Sequence, residues 1–250
     1  MVVDPYRLSI YNETKEYYKD YPSFQSIKYS NFEPINLYKN YNSTKITFIN
    51  SDMIEEACKK KLEGNNPLML NMSAWKIAGG GVELGCPAQE EECFRRSNYF
   101  KTLTQDLYPL GLLDTIYSPN VEFYRKGYDT RYEFMENPVK IDMVAAPAVC
   151  YPELSHDKKM FASKEDILVM EYKIHMLVQV AIRNNNNILV LSAWGCGAFE
   201  CPSYHMAKIF KKILLEYDGI FEEIIFSILG TNYDLFKNSY YEEKIKMRFK

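Results

Sequence analysis

The stretch "KITFINSDMIEEACKKKLEGNNPLMLNM", residues 45–72, decides the fold. Its ends, Lys45–Asn50 and Pro67–Met72, are short apolar runs of strand length, and Met53–Leu62 between them carries a helical pattern. The rhythm repeats downstream. Ile141–Ala148 is expected to be a strand stopped at Pro147. Ser163 with Asp166 opens a helix through Arg183, with Ile167, Met170, Ile174, Leu177, Val178 and Ala181 on one face. Asn187–Leu191 is a further strand, Pro202 stands where a helix begins, Gly219 ends that helix, and Glu222–Leu229 is again strand-like. Strand and helix in alternation predict an α/β fold with a mostly parallel central sheet covered on both faces. Ligands of such sheets bind at the carboxyl ends of the strands.

The first forty or so residues lack this rhythm. They are expected to form an N-terminal accessory helical segment, 1–43, packed on a domain spanning 44–250. Their many tyrosines have no basic stripe beside them, so packing explains them better than base stacking.

With 250 residues the chain is long enough for one large core, and its net charge of −3 gives no global attraction to nucleic acid or to an anionic membrane. No DNA-binding signature is present. No eighteen-residue apolar run or secretory signal is visible, so the expected location is intracellular, cytoplasmic or nuclear. The six cysteines form no CxxC pair and the three histidines no metal-ligand spacing. No metal and no cofactor are expected.

Two glycine-rich stretches follow predicted strands. "LNMSAWKIAGGGVELG" leaves the strand at Leu70–Asn71, and "VLSAWGCGAF" leaves the strand at Val190–Leu191. Glycine permits positive φ and lets several backbone N–H groups converge on one anion, so two such loops can grip a diphosphate. Neither has the spacing of a P-loop or a dinucleotide fingerprint. After the first loop and Pro87 come Gln89, Glu90, Glu91 and Glu92, opening a helical stretch. Acids there offset the helix macrodipole, but three adjacent acids also repel. Facing a desolvated cleft, such a carboxyl would be pushed toward the neutral form that a general acid requires.

Gly79-Gly80-Gly81, seven intervening residues and Gln89-Glu90-Glu91 resemble the signature of the microbial-type poly(ADP-ribose) glycohydrolases. "EECFRRSNYF" is similar to the helix that follows in that family, Thr115–Arg125 to a strand pair, and "LVLSAWGCGAFECP" to its second ligand loop; the similarity runs from about Arg7 to about Phe236. The resemblance implies a macrodomain-like three-layer α/β/α fold and cleavage of ribose–ribose O-glycosidic bonds in poly(ADP-ribose), releasing ADP-ribose. It implies Glu91 as the catalytic carboxyl and Glu90 as the acid on the distal ribose, with Gln89 completing the motif. Gly79, Gly80 and Gly81 would wrap that ribose and the neighbouring phosphate. Gly195, Cys196, Gly197 and Ala198 would form the diphosphate loop, Phe199 would pack on the ribose, Asn71 would contact a ribose, and Asp52 would meet adenine. The Asn-Pro that usually precedes the triple glycine is replaced by Ile77-Ala78, which leaves the approach to the loop less preset. Two other functions fit the same residues. One is a non-catalytic ADP-ribose reader; the other is a hydrolase of mono-ADP-ribosylated protein or another NAD-derived nucleotide.

Overall fold

A computed structural model describes residues 3–31 and 35–242. Its seven-stranded sheet consists of β1 (Ile27–Tyr29), β2 (Lys45–Ile49), β3 (Pro67–Asn71), β4 (Thr115–Arg125), β5 (Phe134–Ala145), β6 (Ile188–Leu191) and β7 (Glu223–Ser227). The strand order is β1-β4-β5-β3-β6-β7-β2. The five strands from β5 to β2 are mutually parallel, and β1 and β4 add an antiparallel edge. Among the described residues, six α-helices pack with the sheet: α1 (Pro5–Tyr17), α2 (Met53–Leu62), α3 (Gln89–Arg96), α4 (Lys164–Arg183), α5 (Ser203–Glu216) and α6 (Asn232–Tyr241).

Topology explains the layers. The crossover from β2 to β3 runs across the sheet in the opposite direction to those from β5 to β6 and from β6 to β7. Right-handed crossovers therefore place α2 on one face and α4 and α5 on the other. In agreement, α2 packs on β3, β5 and β6, while α4 packs against α5. Every residue of β3, β6 and β7 is buried, as in a sheet covered on both sides. Phe210 of α5, Phe226 of β7 and Phe236 of α6 meet at centroid separations of 5.2–6.1 Å and close the core at that edge.

Three expectations change. Thr115–Arg125 is one strand rather than a strand pair; its register with β5 shifts between Ser118 and Val121, where Pro119 has no N–H to donate and Asn120 has φ 52°. The strand expected at Ile141–Ala148 begins earlier, at Phe134, and stops at Ala145. The helix after the acids ends at Arg96, because Ser97 turns extended and bridges Phe123.

The N-terminal segment supplies both a helix and a strand. Asp4 caps α1 through the Tyr6 and Arg7 amides, and α1 packs on α3. β1 pairs with β4.

Candidate active site

The carboxyl ends of all five parallel strands open on one cleft. It consists of two joined cavities of ≈ 280 and ≈ 270 Å³ that share Met72, Gln89, Ala193 and Gly197. Met72 follows β3, Ala148 follows β5, Ala193 follows β6, Ser227 ends β7, and Ser51 and Asp52 follow β2. This is where a sheet of this kind binds its ligand.

Helix α3 carries the acids into that cleft. Gln89 anchors its first turn to the end of β3: Oε1 accepts from Met72 N at 2.9 Å, and Nε2 donates to Leu70 O at 3.0 Å. With Gln89 so fixed, Glu90 and Glu91 both line the first cavity although only 3% and 7% exposed. Glu91 Oε1 accepts from Gly81 N at 2.8 Å, while Oε2 takes no hydrogen bond from another described residue. Burial is the largest influence on Glu91 and raises its pKa against the pull of the Gly81 amide. Glu90 is buried more deeply. Its Oε2 accepts from Ala74 N at 2.7 Å, and its Oε1 lies 3.3–3.4 Å from the donors Asn71 Nδ2, Gly79 N and Tyr108 Oη. Burial raises it to about 8, in spite of these donors and with help from the neighbouring Glu91 charge.

The first glycine loop acts differently from the expectation. Gly79 and Gly81 direct their amides at Glu90 and Glu91, and Gly80 N donates to Ile77 O, so the loop holds the acids rather than presenting free amides to a phosphate. None of the three glycines lines either cavity. Their small size still matters. A β-carbon on Gly80, which has φ +56°, would sit 2.7 Å from Glu91 Oε1 and 3.1 Å from Glu90 Oε2.

The second loop faces the acids across the first cavity, which Gly195, Gly197, Ala198 and Phe199 line. The amides of these four residues donate to no acceptor among the described residues, leaving a row of N–H groups for an anion. Cys196 lies in the same loop but lines neither cavity, its thiol lying 3.5 Å from Trp194 O. At Gly195, with φ +76°, a β-carbon would meet Ala148 Cβ and Cys201 Sγ at 2.7 Å.

Asp52 lines the second cavity, but its carboxylate is already engaged. It caps α2 through the Ile54 and Glu55 amides and pairs with Arg96 Nη1 at 2.9 Å. Asn71, expected to touch a ribose, is fully buried and lines neither cavity; it reaches the site through Glu90.

The sequence offers Glu92 only as one of three adjacent acids, and Gln105 and Tyr108 not at all. Glu92 lines the second cavity and joins Arg95 at 3.2 Å, Tyr132 Oη at 2.7 Å and Arg7 at 3.9 Å. Its i,i+3 spacing to Arg95 was the available signal. Gln105 secures the approach to the first loop, where Ile77-Ala78 replaces the usual Asn-Pro. Its Oε1 accepts from Ala78 N and its Nε2 donates to Lys76 O, both at 3.1 Å. A proline at position 78 would have no N–H for that bond. Tyr108 had no local signal at all, since a distant loop brings it to Glu90.

Comparison with known proteins agrees with this geometry. Residues 10–126 match the family described as microbial-type PARG, catalytic domain. No curated protein matches the chain. Among solved structures, the poly(ADP-ribose) glycohydrolase of Thermomonospora curvata superimposes with a TM-score of 0.80 at 19% identity, over 94% of this chain and 100% of that one. The same enzyme bound to the inhibitor ADP-HPD gives 0.77 at 19% identity, over 94% and 99%. The Deinococcus radiodurans enzyme in complex with ADP-ribose gives 0.67 at 24% identity, over 78% and 84%. Residues 10–126, which carry the triple glycine and both buried acids, thus match the microbial-type PARG catalytic-domain family, and the chain shares the macrodomain-like fold of these bacterial glycohydrolases.

Proposed function

We propose that the chain hydrolyses ribose–ribose O-glycosidic bonds of poly(ADP-ribose), with Glu91 as general acid and then general base. The observation that carries this reading is a raised, nearly buried carboxyl with one uncommitted oxygen, in a cavity whose opposite wall is a row of unpaired amides. ADP-ribose would span both cavities, with the adenosine half beside Asp52 and Ile54 and the distal ribose beside Glu91. The amides at Gly195, Gly197, Ala198 and Phe199 would hold the diphosphate between them.

Protonated Glu91 gives its proton to the leaving ribose oxygen as the bond to the anomeric carbon breaks, relieving charge in an oxocarbenium-like transition state. The carboxylate left behind takes a proton from a water that adds to the same carbon. One acid thereby serves both steps. Glu90, on the next helical residue and about 100° around the axis, is poorly placed to straddle the same bond. It keeps a lone pair on Oε2 for a ribose hydroxyl, since a carboxyl C=O oxygen accepts two hydrogen bonds and this one takes only Ala74 N. Gln89 and Asn71 act one step back, fixing α3 and Glu90. Residues 1–43 serve as an accessory brace on the catalytic domain, 44–250.

Incubation with end-labelled polymer tests the reading. Shortening of the polymer with release of ADP-ribose is expected, and mono-ADP-ribosylated protein should remain largely unprocessed. Retardation of the polymer without shortening would make the chain an ADP-ribose reader; release from the mono-modified protein alone would change the bond that is cleaved.

A further inference from the structure

We propose that a lysine-rich surface beside the cleft holds the polymer on its leaving-group side, binding diphosphates of the ADP-ribose units beyond the bond being cleaved. This rests on the reading of the cleft as a poly(ADP-ribose) hydrolase site. The cleft itself offers a polyanion no long-range attraction. Its lining contains Asp52, Glu90, Glu91 and Glu92 and no lysine, arginine or histidine. Amides hold a diphosphate that has already arrived, but they do not gather a highly charged chain from solution.

Cations are concentrated nearby. A bridge between Leu154 and Phe161 closes a turn that carries Lys158 and Lys159 beside one acid, Asp157, whose Oδ1 accepts from Lys159 N at 3.2 Å and from Ser155 Oγ at 2.8 Å. This segment is tied to the cleft wall, because Tyr151 N donates to Phe199 O, and to α5, because Phe161 N donates to His205 Nδ1 at 3.0 Å. Phe199 lines the cavity that holds Glu91, so the Tyr151 hydrogen bond sets this segment directly beside the cleft wall.

Two contiguous grooves of ≈ 420 and ≈ 610 Å³ follow, sharing Tyr204 and Glu242. Lys158 and Lys159 line one, and Lys208, Lys211 and Lys212 line the other, against only Glu171 and Glu242. Lys208 and Lys212 pair with those two acids at 3.5 and 2.6 Å. Lys158, Lys159 and Lys211 form no ion pair among the described residues. In a chain of net charge −3 this is a local concentration of cations rather than general basicity. The repeating diphosphate of the polymer matches a row of lysines better than a single shaped pocket, and Tyr204, which lines both grooves, already carries the Lys208 ammonium over its ring at 5.5 Å.

The test is the triple variant Lys158→Glu, Lys159→Glu, Lys211→Glu in the full chain, with its melting temperature taken to verify folding. None of the three residues lines the catalytic cleft. For long polymer, KM should rise about tenfold and its salt dependence should flatten, because phosphate contacts are lost. The kcat, the KM for a two-unit oligomer and the Kd for ADP-ribose should stay unchanged. Unchanged KM for long polymer, or equal loss on long and two-unit substrates, would overturn the inference and leave the catalytic proposal standing. Binding of single-stranded DNA as tight as that of the polymer would overturn it too, by making the surface an indiscriminate polyanion site. If the wild-type chain cleaves no polymer, the catalytic proposal fails. Fluorescence anisotropy of labelled polymer then decides alone: weaker binding by the variant supports the surface and equal binding overturns it.

Discussion

Glu90 and Glu91 are neighbours on one helical turn, yet they differ in how completely the protein consumes their hydrogen-bonding capacity. Glu90 collects four protein donors, whereas Glu91 collects one and leaves its second oxygen without a donor among the other described residues. Gly80 is where the loop comes closest to both. Gly80→Ala should leave the chain folded but displace the acids, lowering kcat on polymer by about 10²-fold, as misplacement of a reacting group by about 1 Å does. Kinetics on the purified variant would check this, and wild-type kcat would contradict it. Burial also makes Glu90 a source of pH dependence. Its folded value of about 8 lies above the ordinary 4.5, so the folded state holds the proton more tightly than the unfolded chain. The associated stability is complete below about pH 4.5 and is lost as pH rises through about 8. Relative to Glu90→Gln, which stays neutral, the wild-type melting temperature should therefore fall between pH 5 and pH 8; a constant difference would contradict this. At this scale the sequence showed much of the site. Two adjacent acids after a triple glycine and a second glycine loop after a strand are local patterns, and four of the five second-loop residues singled out line the cavity. The direction of the Gly79 and Gly81 amides was not legible, because it depends on how the loop folds back over α3. Asn71 was misplaced for a similar reason: it ends an interior strand whose every residue is buried.

Helix α3 is only eight residues long and has no side-chain N-cap, so its placement comes from its neighbours. Gln89 holds its start, and α1 braces it along its length. Thr14 Oγ1 lies 2.6 Å from Arg95 O and accepts from Tyr124 Oη at 2.9 Å, all in a buried position. Asp4 N donates to Leu84 O at 3.1 Å, and Arg7 approaches Glu92 at 3.9 Å. Thr14→Val keeps the shape but leaves the Arg95 carbonyl without this donor and the Tyr124 hydroxyl proton without this acceptor, which should cost about 1–3 kcal/mol. Urea denaturation would check this, and an unchanged midpoint with an unchanged slope would refute the brace. Elements with strong local signals could be read ahead of the structure. The bounds Met53–Leu62 for α2 match, since apolar spacing and the surrounding strands delimit it. β1 could not be read in advance, because three residues carry no usable alternation and the strand exists only through pairing with β4.

Across the whole molecule, the cleft gathers residues from near position 51 to position 232, so no segment contains the site by itself. The parallel-sheet topology does the assembling. It brings five strand ends to one side, and α3 and the Gly195 turn then face each other across them. That much followed from the alternation of strand and helix, whereas the strand order and the split between acidic cleft and lysine-rich flank follow from tertiary packing. On the proposed reading the labour divides: amides would hold one nucleotide, buried acids would do the chemistry, and distant cations would gather the chain. The acid–base role of one carboxyl is the centre of this account, and single-turnover release of ADP-ribose from polymer by wild type and Glu91→Gln measures it most directly. Loss of about 10²–10⁴-fold or more in the variant, with Kd for ADP-ribose unchanged, is the predicted result. Release at the wild-type rate would contradict it.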